Sequence, residues 1–259
     1  MVADNLSKLL QELPSGVKLV AVSKFHPVGR LMEAYDAGQR IFAESRPQEL
    51  AEKVPEMPAD VEWHFIGHLQ TNKLKLVLPH VALVQSVDSL HLLEAIDKWG
   101  SANGKVVDVL LELHLGSEET KQGFTEGEIM SIVVAGEGIC PETASASLRP
   151  LPPQAAGPSL LCGRGWPQVS GQTPSPADMS HVRIRGLMGM ATNTEDAEVI
   201  RAEFARIQAL YGLIREKCPH LADTFTELSI GMSDDWPLAV EHGSMMVRIG
   251  TAIFGPREY

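Results

Sequence analysis

The sequence predicts a single (β/α)8 barrel. Three observations carry that expectation: eight short β-branched apolar runs, longer amphipathic segments between them, and a length that one such barrel fills. The chain has 259 residues, 44% of them hydrophobic, and α/β barrels often take this length as one domain. The domain is therefore expected to span residues 1–259.

The elements follow in order. Met1–Leu13 mixes Asp4, Lys8 and Glu12 with leucines, which reads as an amphipathic helix and not as a signal peptide. Strands are expected at Lys18–Lys24, Arg40–Ser45, Glu62–His68, Ala82–Asp88, Val107–His114, Arg183–Thr192, Thr226–Ser233 and Met246–Gly255. Several are nearly continuous in apolar residues, such as Val106–Leu113 and Val247–Phe254, as strands buried on both faces should be. The clearest helix is expected after Thr192, where Thr192-Asn193-Thr194-Glu195 forms a capping box. Ile200, Phe204, Ile207, Tyr211 and Ile214 then recur at helical spacing until Cys218-Pro219. Alternating strands and crossover helices favour a parallel sheet closed on itself. A doubly wound open sheet is the alternative, but no Gly-x-Gly-x-x-Gly follows the first strand.

One stretch departs from the pattern. Residues 135–178 hold eight of the 17 prolines, two of the three cysteines and no lysine. Pro150, Pro152 and Pro153 forbid a regular helix where a crossover helix is due. The expectation is an irregular excursion rich in Pro, Gly and Ser, either an insertion or a stretch of altered reading frame.

The bulk properties exclude several classes. A net charge of −11 argues against nucleic acid or an anionic membrane as partner. Cys140, Cys162 and Cys218 have no zinc spacing and leave an odd thiol, which suggests a reducing compartment. No apolar run reaches membrane-spanning length. The expectation is a cytoplasmic protein, with monomer as the default state.

In barrels of this kind functional groups sit at the C-terminal strand ends. The tips here carry Lys24, Glu44-Ser45-Arg46, His68, Ser86, His114, Met190–Asn193, Ser229–Ser233 and Arg248–Thr251. A lysine ending a buried strand is either leaving the core for solvent or poised as an amine nucleophile, since desolvation lowers its pKa. Ser229, Gly231 and Ser233, with Arg248, Gly250 and Thr251, place glycines beside hydroxyls and a guanidinium at the last two tips, where barrels bind phosphate. Each glycine alone would read as a turn residue. A phosphate site beside a poised lysine suggests either pyridoxal phosphate held as a Schiff base or an aldolase lysine acting on a sugar phosphate. His64 and His68 lack a third ligand and read as barrel packing. Trp63, Met188 and Met232 read as packing residues, and His114 and Met190 line strand ends.

The resemblance becomes specific in seven segments. Val22-Ser23-Lys24, Phe42–Glu49, Trp63–Lys73, Lys121–Phe124, Gly186–Thr192, Leu228–Asp235 and Val247–Gly255 resemble, in order, the pyridoxal phosphate homeostasis protein family (the YggS/PROSC group). They span nearly the whole chain outside 135–178. The resemblance implies a barrel like the N-terminal domain of alanine racemase, Lys24 as the Schiff-base lysine, and Ser229–Ser233 with Arg248–Thr251 around the cofactor phosphate. It further implies a carrier of pyridoxal 5′-phosphate in vitamin B6 homeostasis with no firmly assigned reaction, and apo pyridoxal-phosphate enzymes as partners. Where the family commonly reads Gly-Glu-Asn-Arg, this chain reads Ala43-Glu44-Ser45-Arg46. Ser45 either keeps a donor near the cofactor ring or caps the helix entered through Pro47.

Two catalytic readings compete. A pyridoxal-phosphate racemase needs a second acid/base on the opposite cofactor face, a tyrosine from another domain in the alanine racemase family. This chain offers Tyr35, Tyr211 and Tyr259, and no sequence past strand eight to supply that domain. A Schiff-base aldolase would leave the family motifs unexplained.

Overall fold

The computed structural model describes residues 1–116, 122–134 and 179–256; the expectation for 135–178 falls outside them. Eight strands form a closed barrel in chain order: β1 (Lys18–Val22), β2 (Ile41–Glu44), β3 (Glu62–Phe65), β4 (Leu83–Val87), β5 (Val107–Leu113), β6 (Val182–Gly189), β7 (Glu227–Ser229) and β8 (Met246–Ile249). Every neighbouring pair is parallel, and β8 closes onto β1 with Lys18–Ala21 beside Met246–Ile249.

All eight expected runs contain a strand, but each ladder stops short of the expected tip. Apolar patterning marks burial, whereas a ladder ends where the chain turns away from its neighbours. The largest difference is at the end. Met246–Gly255 reads as one strand, yet Thr251–Phe254 is helical, with Ile253 and Phe254 buried in that form. A short apolar run has no periodicity to separate the two states.

Helices cover the barrel: α1 (Val2–Glu12), α2 (Val28–Asp36), α3 (Pro47–Lys53), α4 (Leu74–Val77), α5 (Leu90–Asn103), α6 (Glu126–Val134), α7 (Ala197–Lys217), α8 (Trp236–Glu241) and α9 (Thr251–Phe254). On α1 the buried residues are Val2, Leu6 and Leu9, and Asn5 Nδ2 donates to the carbonyl of Ile253 at 3.1 Å, fastening α1 to α9. On α7 the stripe Ile200, Phe204, Ile207, Tyr211 and Ile214 is buried as its spacing predicts. Its start lies elsewhere. Asp196 is the N-cap, accepting from Glu198 N at 3.0 Å, while Thr192 N and Oγ1 both donate to Glu203, each at 2.7 Å. The expected capping box at Thr192 is thus replaced by a contact about two turns into the helix.

The core has two layers. One lies between sheet and helices and holds Phe42, Phe65, Phe204 and Phe225, all fully buried; Trp63 joins it, its ring centroid 5.9 Å from that of Phe42. The other fills the barrel interior with Val20, Ala43, Leu83, Leu110, Met188 and Met246. The interior is therefore packed, and any site must stand above that plug. Met188 packs as expected, whereas Met232 is 38% exposed and does not belong to the core.

Candidate functional site

Side chains alternate along a strand, so the register that turns Val20, Ala43, Leu83, Leu110, Met188 and Met246 inward also turns the residues two further on inward. Within the strands those are Val22, Gln85, Glu112 and Arg248. Of the residues expected at the site, Arg248 is thus placed by register, while Ser45, Met190 and Lys24 follow the C-terminal ends of β2, β6 and β1 at the same end of the barrel.

Beneath that mouth runs a polar chain. Arg248 is 4% exposed, and its guanidinium donates to Ser229 O at 2.8 Å, Ser229 Oγ at 2.6 Å and Gly189 O at 2.8 Å. Ser229 Oγ donates to Gln85 Oε1 at 2.7 Å, Gln85 Nε2 lies 2.9 Å from His64 Nδ1, and His64 Nε2 lies 3.0 Å from Glu62 Oε1. His64 is thus engaged through both ring nitrogens, and its partner Glu62 is held below the usual carboxylate range by that bond. Burial lowers the Arg248 pKa to about 10, with Glu112 and Asp235 partly offsetting the shift. Ser229 is fully buried, its hydroxyl committed to this chain.

The tip of β1 is a strained turn. Lys24 is half-buried, and Phe25 behind it adopts φ +68°, a left-handed conformation that costs a non-glycine residue about 1–3 kcal/mol. Four charged groups surround the turn. Lys53 Nζ donates to Ser23 O at 2.9 Å, Glu44 Oε1 at 2.7 Å and Glu49 Oε1 at 2.7 Å. The amide of Phe25 donates to Glu49 Oε1 at 2.6 Å, and Ser23 Oγ to Glu44 Oε1 at 2.6 Å. The Arg46 guanidinium stands 4.4 Å from the centre of the Phe25 ring. Glu44 is fully buried, and burial raises its pKa against the pull of Lys53.

Ser45 is half-buried and is not the N-cap of α3; Arg46 occupies that position, with Pro47 following. The backbone of Ser45 is pressed against Gly67, where an added Cβ would meet Ser45 O at 2.1 Å. Gly67→Ala is therefore expected to force the β2 tip aside and to destabilise the fold by about 1–3 kcal/mol. Urea unfolding checks this, and an unchanged midpoint would mean that the tip yields freely.

The loop after β7 is fastened to β8 and to the segment leading into it. Arg248 N donates to Gly231 O at 3.0 Å, and Ser244 Oγ donates to Ile230 O at 2.7 Å. Gly231 has φ +96°, and Asp235 Oδ1 accepts from Met232 N at 2.5 Å, fixing the turn. Ser233 is half-buried and Thr251 exposed, and among the described residues neither hydroxyl has a hydrogen-bond partner. A Cβ at Gly250 would stand 3.0 Å from Val22 O, so the β8 loop lies directly against the end of β1. Two open hydroxyls, glycine backbone and a buried guanidinium below are the donor set an anionic phosphate needs, two residues from Lys24.

On the far side of the mouth a cavity of about 300 Å³ is lined by Glu112, His114, Gln122, Met190, Ala191 and Met232, among others. Met190 is 39% exposed. Glu112 is 7% exposed, and burial first, then the Asp88 charge, pushes its pKa up to about 7; Arg248 and His68 pull the other way. His68 Nδ1 lies 2.8 Å from Asp88 Oδ2. Sequence reading passed over Glu112, although an acid on the inward register of an apolar strand is a visible signal. Gln85 carries no such signal. Among the described residues no cluster of three His, Cys, Asp or Glu side chains could hold a metal ion.

The profile described as "Alanine racemase, N-terminal domain" matches residues 1–141, so the fold belongs to the class of barrel found there as an N-terminal domain. Full-length relatives narrow this. The pyridoxal phosphate homeostasis protein of Pasteurella multocida is 32% identical over 249 residues, covering 95% of this chain and 88% of the relative. That of Escherichia coli K12 is 32% identical over 252 residues, covering 95% and 88%. The chain belongs to the pyridoxal phosphate homeostasis protein family. Among solved structures, PipY of Synechococcus elongatus with pyridoxal phosphate bound superposes with a TM-score of 0.75 at 31% identity, covering 98% of this chain and all of PipY.

Proposed function

We propose that this chain binds pyridoxal 5′-phosphate at the barrel mouth, covalently through Lys24, and acts in intracellular vitamin B6 homeostasis. The observation that carries the proposal is the packing of Gly250 against Val22, two residues before Lys24 in the chain. The pyridoxal phosphate held by PipY, related over nearly the whole chain, supports the choice of ligand. Gly231, Ser233, Gly250 and Thr251 take the phosphate. Arg248, fixed by Ser229, presents its remaining donors from below, and Ser45 and Met190 flank the ring. Bound there, the group supplies an aldehyde carbon that a lysine amine can join reversibly with loss of water. The protein's part is to orient the amine, seat the phosphate and keep the site closed to bulk solvent from beneath. The chain works as a cytoplasmic monomer and passes the cofactor to apo-enzymes, with no reaction of its own assigned. No described helix is long and apolar enough to cross a membrane.

The test is a visible spectrum of purified protein with added pyridoxal phosphate, before and after borohydride, followed by peptide mapping. A band that borohydride fixes as mass on Lys24 is expected. Fixation on another lysine, or no band in folded protein, would overturn the assignment.

A further inference from the structure

Lys24 sits on a turn that one helix holds from both sides. Upstream, the carbonyl of Ser23 accepts from Lys53 Nζ at 2.9 Å; downstream, the amide of Phe25 donates to Glu49 Oε1 at 2.6 Å. Lys53 and Glu49 are one helical turn apart on α3 and joined to each other at 2.7 Å. We infer that Glu49 and Lys53 are positioning residues for Lys24: by gripping the two peptide groups that flank it, α3 dictates the direction in which the Lys24 side chain leaves the β1 tip.

Three observations support a clamp over a mere surface ion pair. Lys53 is 6% exposed, so its ammonium is taken out of water and set against a backbone carbonyl, a placement that an i,i+4 pair on a helix surface does not require. Phe25 holds φ +68°, a conformation that persists only when its surroundings impose it. The turn is closed by its own backbone bond, His26 N donating to Ser23 O at 3.1 Å, and the Glu49 carboxylate adds a second hold on the Phe25 amide that can be removed without touching that bond. Below the pair, Glu44 holds Lys53 Nζ at 2.7 Å and Ser23 Oγ at 2.6 Å, which leaves Lys53 no slack. Release of the Phe25 amide would leave the turn held by that backbone bond and by Lys53, and would free Lys24 to swing away from the Gly250-Thr251 loop.

The inference rests on the proposed role of Lys24, but its test separates the two. Glu49→Ala removes the acceptor for Phe25 N–H, and Glu49→Gln keeps one. Glu49→Met, which fills the volume without a carboxylate, serves if Glu49→Ala does not fold. Three quantities are measured on the full chain. They are amide hydrogen exchange at Phe25 without ligand, the rate at which pyridoxal phosphate becomes fixable on Lys24, and the affinity for pyridoxine 5′-phosphate, which has no aldehyde. In Glu49→Ala, exchange at Phe25 is expected to rise and the fixation rate to fall, each about tenfold, while pyridoxine 5′-phosphate affinity stays within about twofold. Glu49→Gln is expected to restore the fixation rate to within about threefold of the unmodified chain. A merely structural role would weaken both ligands together, and that result would overturn the inference. So would unchanged Phe25 exchange, or faster exchange with an unchanged fixation rate. If the unmodified chain fixes nothing on Lys24, the proposed function fails by itself; the Phe25 exchange still decides whether Glu49 clamps the turn.

Discussion

In Lys24→Ala, borohydride is expected to fix no pyridoxal phosphate at the barrel mouth, while the unmodified chain fixes one equivalent there. The loss at that site should be complete, because a reversible bond to an aldehyde needs an uncharged amine within bonding reach; exposed amines give only weak, dispersed imines that stoichiometric ligand does not populate. Lys24 is half-buried just past β1, two residues after Val22, against which Gly250 packs. The other lysine close to that turn, Lys53, is committed to Ser23 O, Glu44 and Glu49 on the outer side of the barrel. Ligand should not be lost altogether. The hydroxyls of Ser233 and Thr251 and the Arg248 guanidinium remain, and hydrogen bonds to a charged phosphate contribute about 1.5–3 kcal/mol each. Equilibrium dialysis should therefore show weakened, wholly reversible binding. A reducible adduct surviving at the mouth in Lys24→Ala would remove Lys24 from the reading.

What the sequence makes legible is burial; what it hides is where burial and strand part company. The eight strands stand out as apolar runs because both faces are covered, by helices outside and by the Val20–Met246 layer inside. The residue types at the tips are legible for the same reason: Lys24, Ser45 and Arg248 interrupt runs that are otherwise apolar. The partners of those residues are not. Ser229 and Arg248 read as two phosphate ligands, yet 2.6 Å separates them from each other, and Ser229 hands its own proton to Gln85. Nothing in one dimension says that residues 19 positions apart in the chain, on neighbouring strands, will satisfy each other before they meet a ligand. Glu49 and Lys53 mislead in the opposite direction, since their spacing suggests an exposed helical pair and tertiary packing turns it inward. The left-handed turn at Phe25 has no sequence mark at all, because it is held by the His26–Ser23 backbone bond and by Glu49 of α3, and not by the type of residue that adopts it.

Glu112 gives the second large effect, and its sign follows from the direction of its shift. An ordinary glutamate releases its proton near 4.5, whereas Glu112 in the folded barrel does so at about 7, chiefly because burial disfavours its charge. Between those values the folded state holds a proton that the unfolded chain has lost, so stability falls as pH rises through this window. Below pH 4.5 both states are protonated and the residue contributes nothing to the pH dependence. Above pH 7 the full penalty stands, about 3 kcal/mol for a shift of this size. Glu112→Gln keeps the shape and removes the charge. It is therefore expected to leave urea stability at pH 5 nearly unchanged and to raise it at pH 8 by up to about 3 kcal/mol. An equal gain at both pH values would indicate better packing in place of charge relief, and no gain at pH 8 would mean that Glu112 is solvated. The substitution also bears on the mouth. The Glu112 carboxylate is the neighbouring charge that most favours the Arg248 cation, so its removal should lower the pKa of the guanidinium further while leaving it charged at pH 8. Phosphate affinity at pH 8 should then rise or hold, because the nearby negative charge is gone while the cation remains.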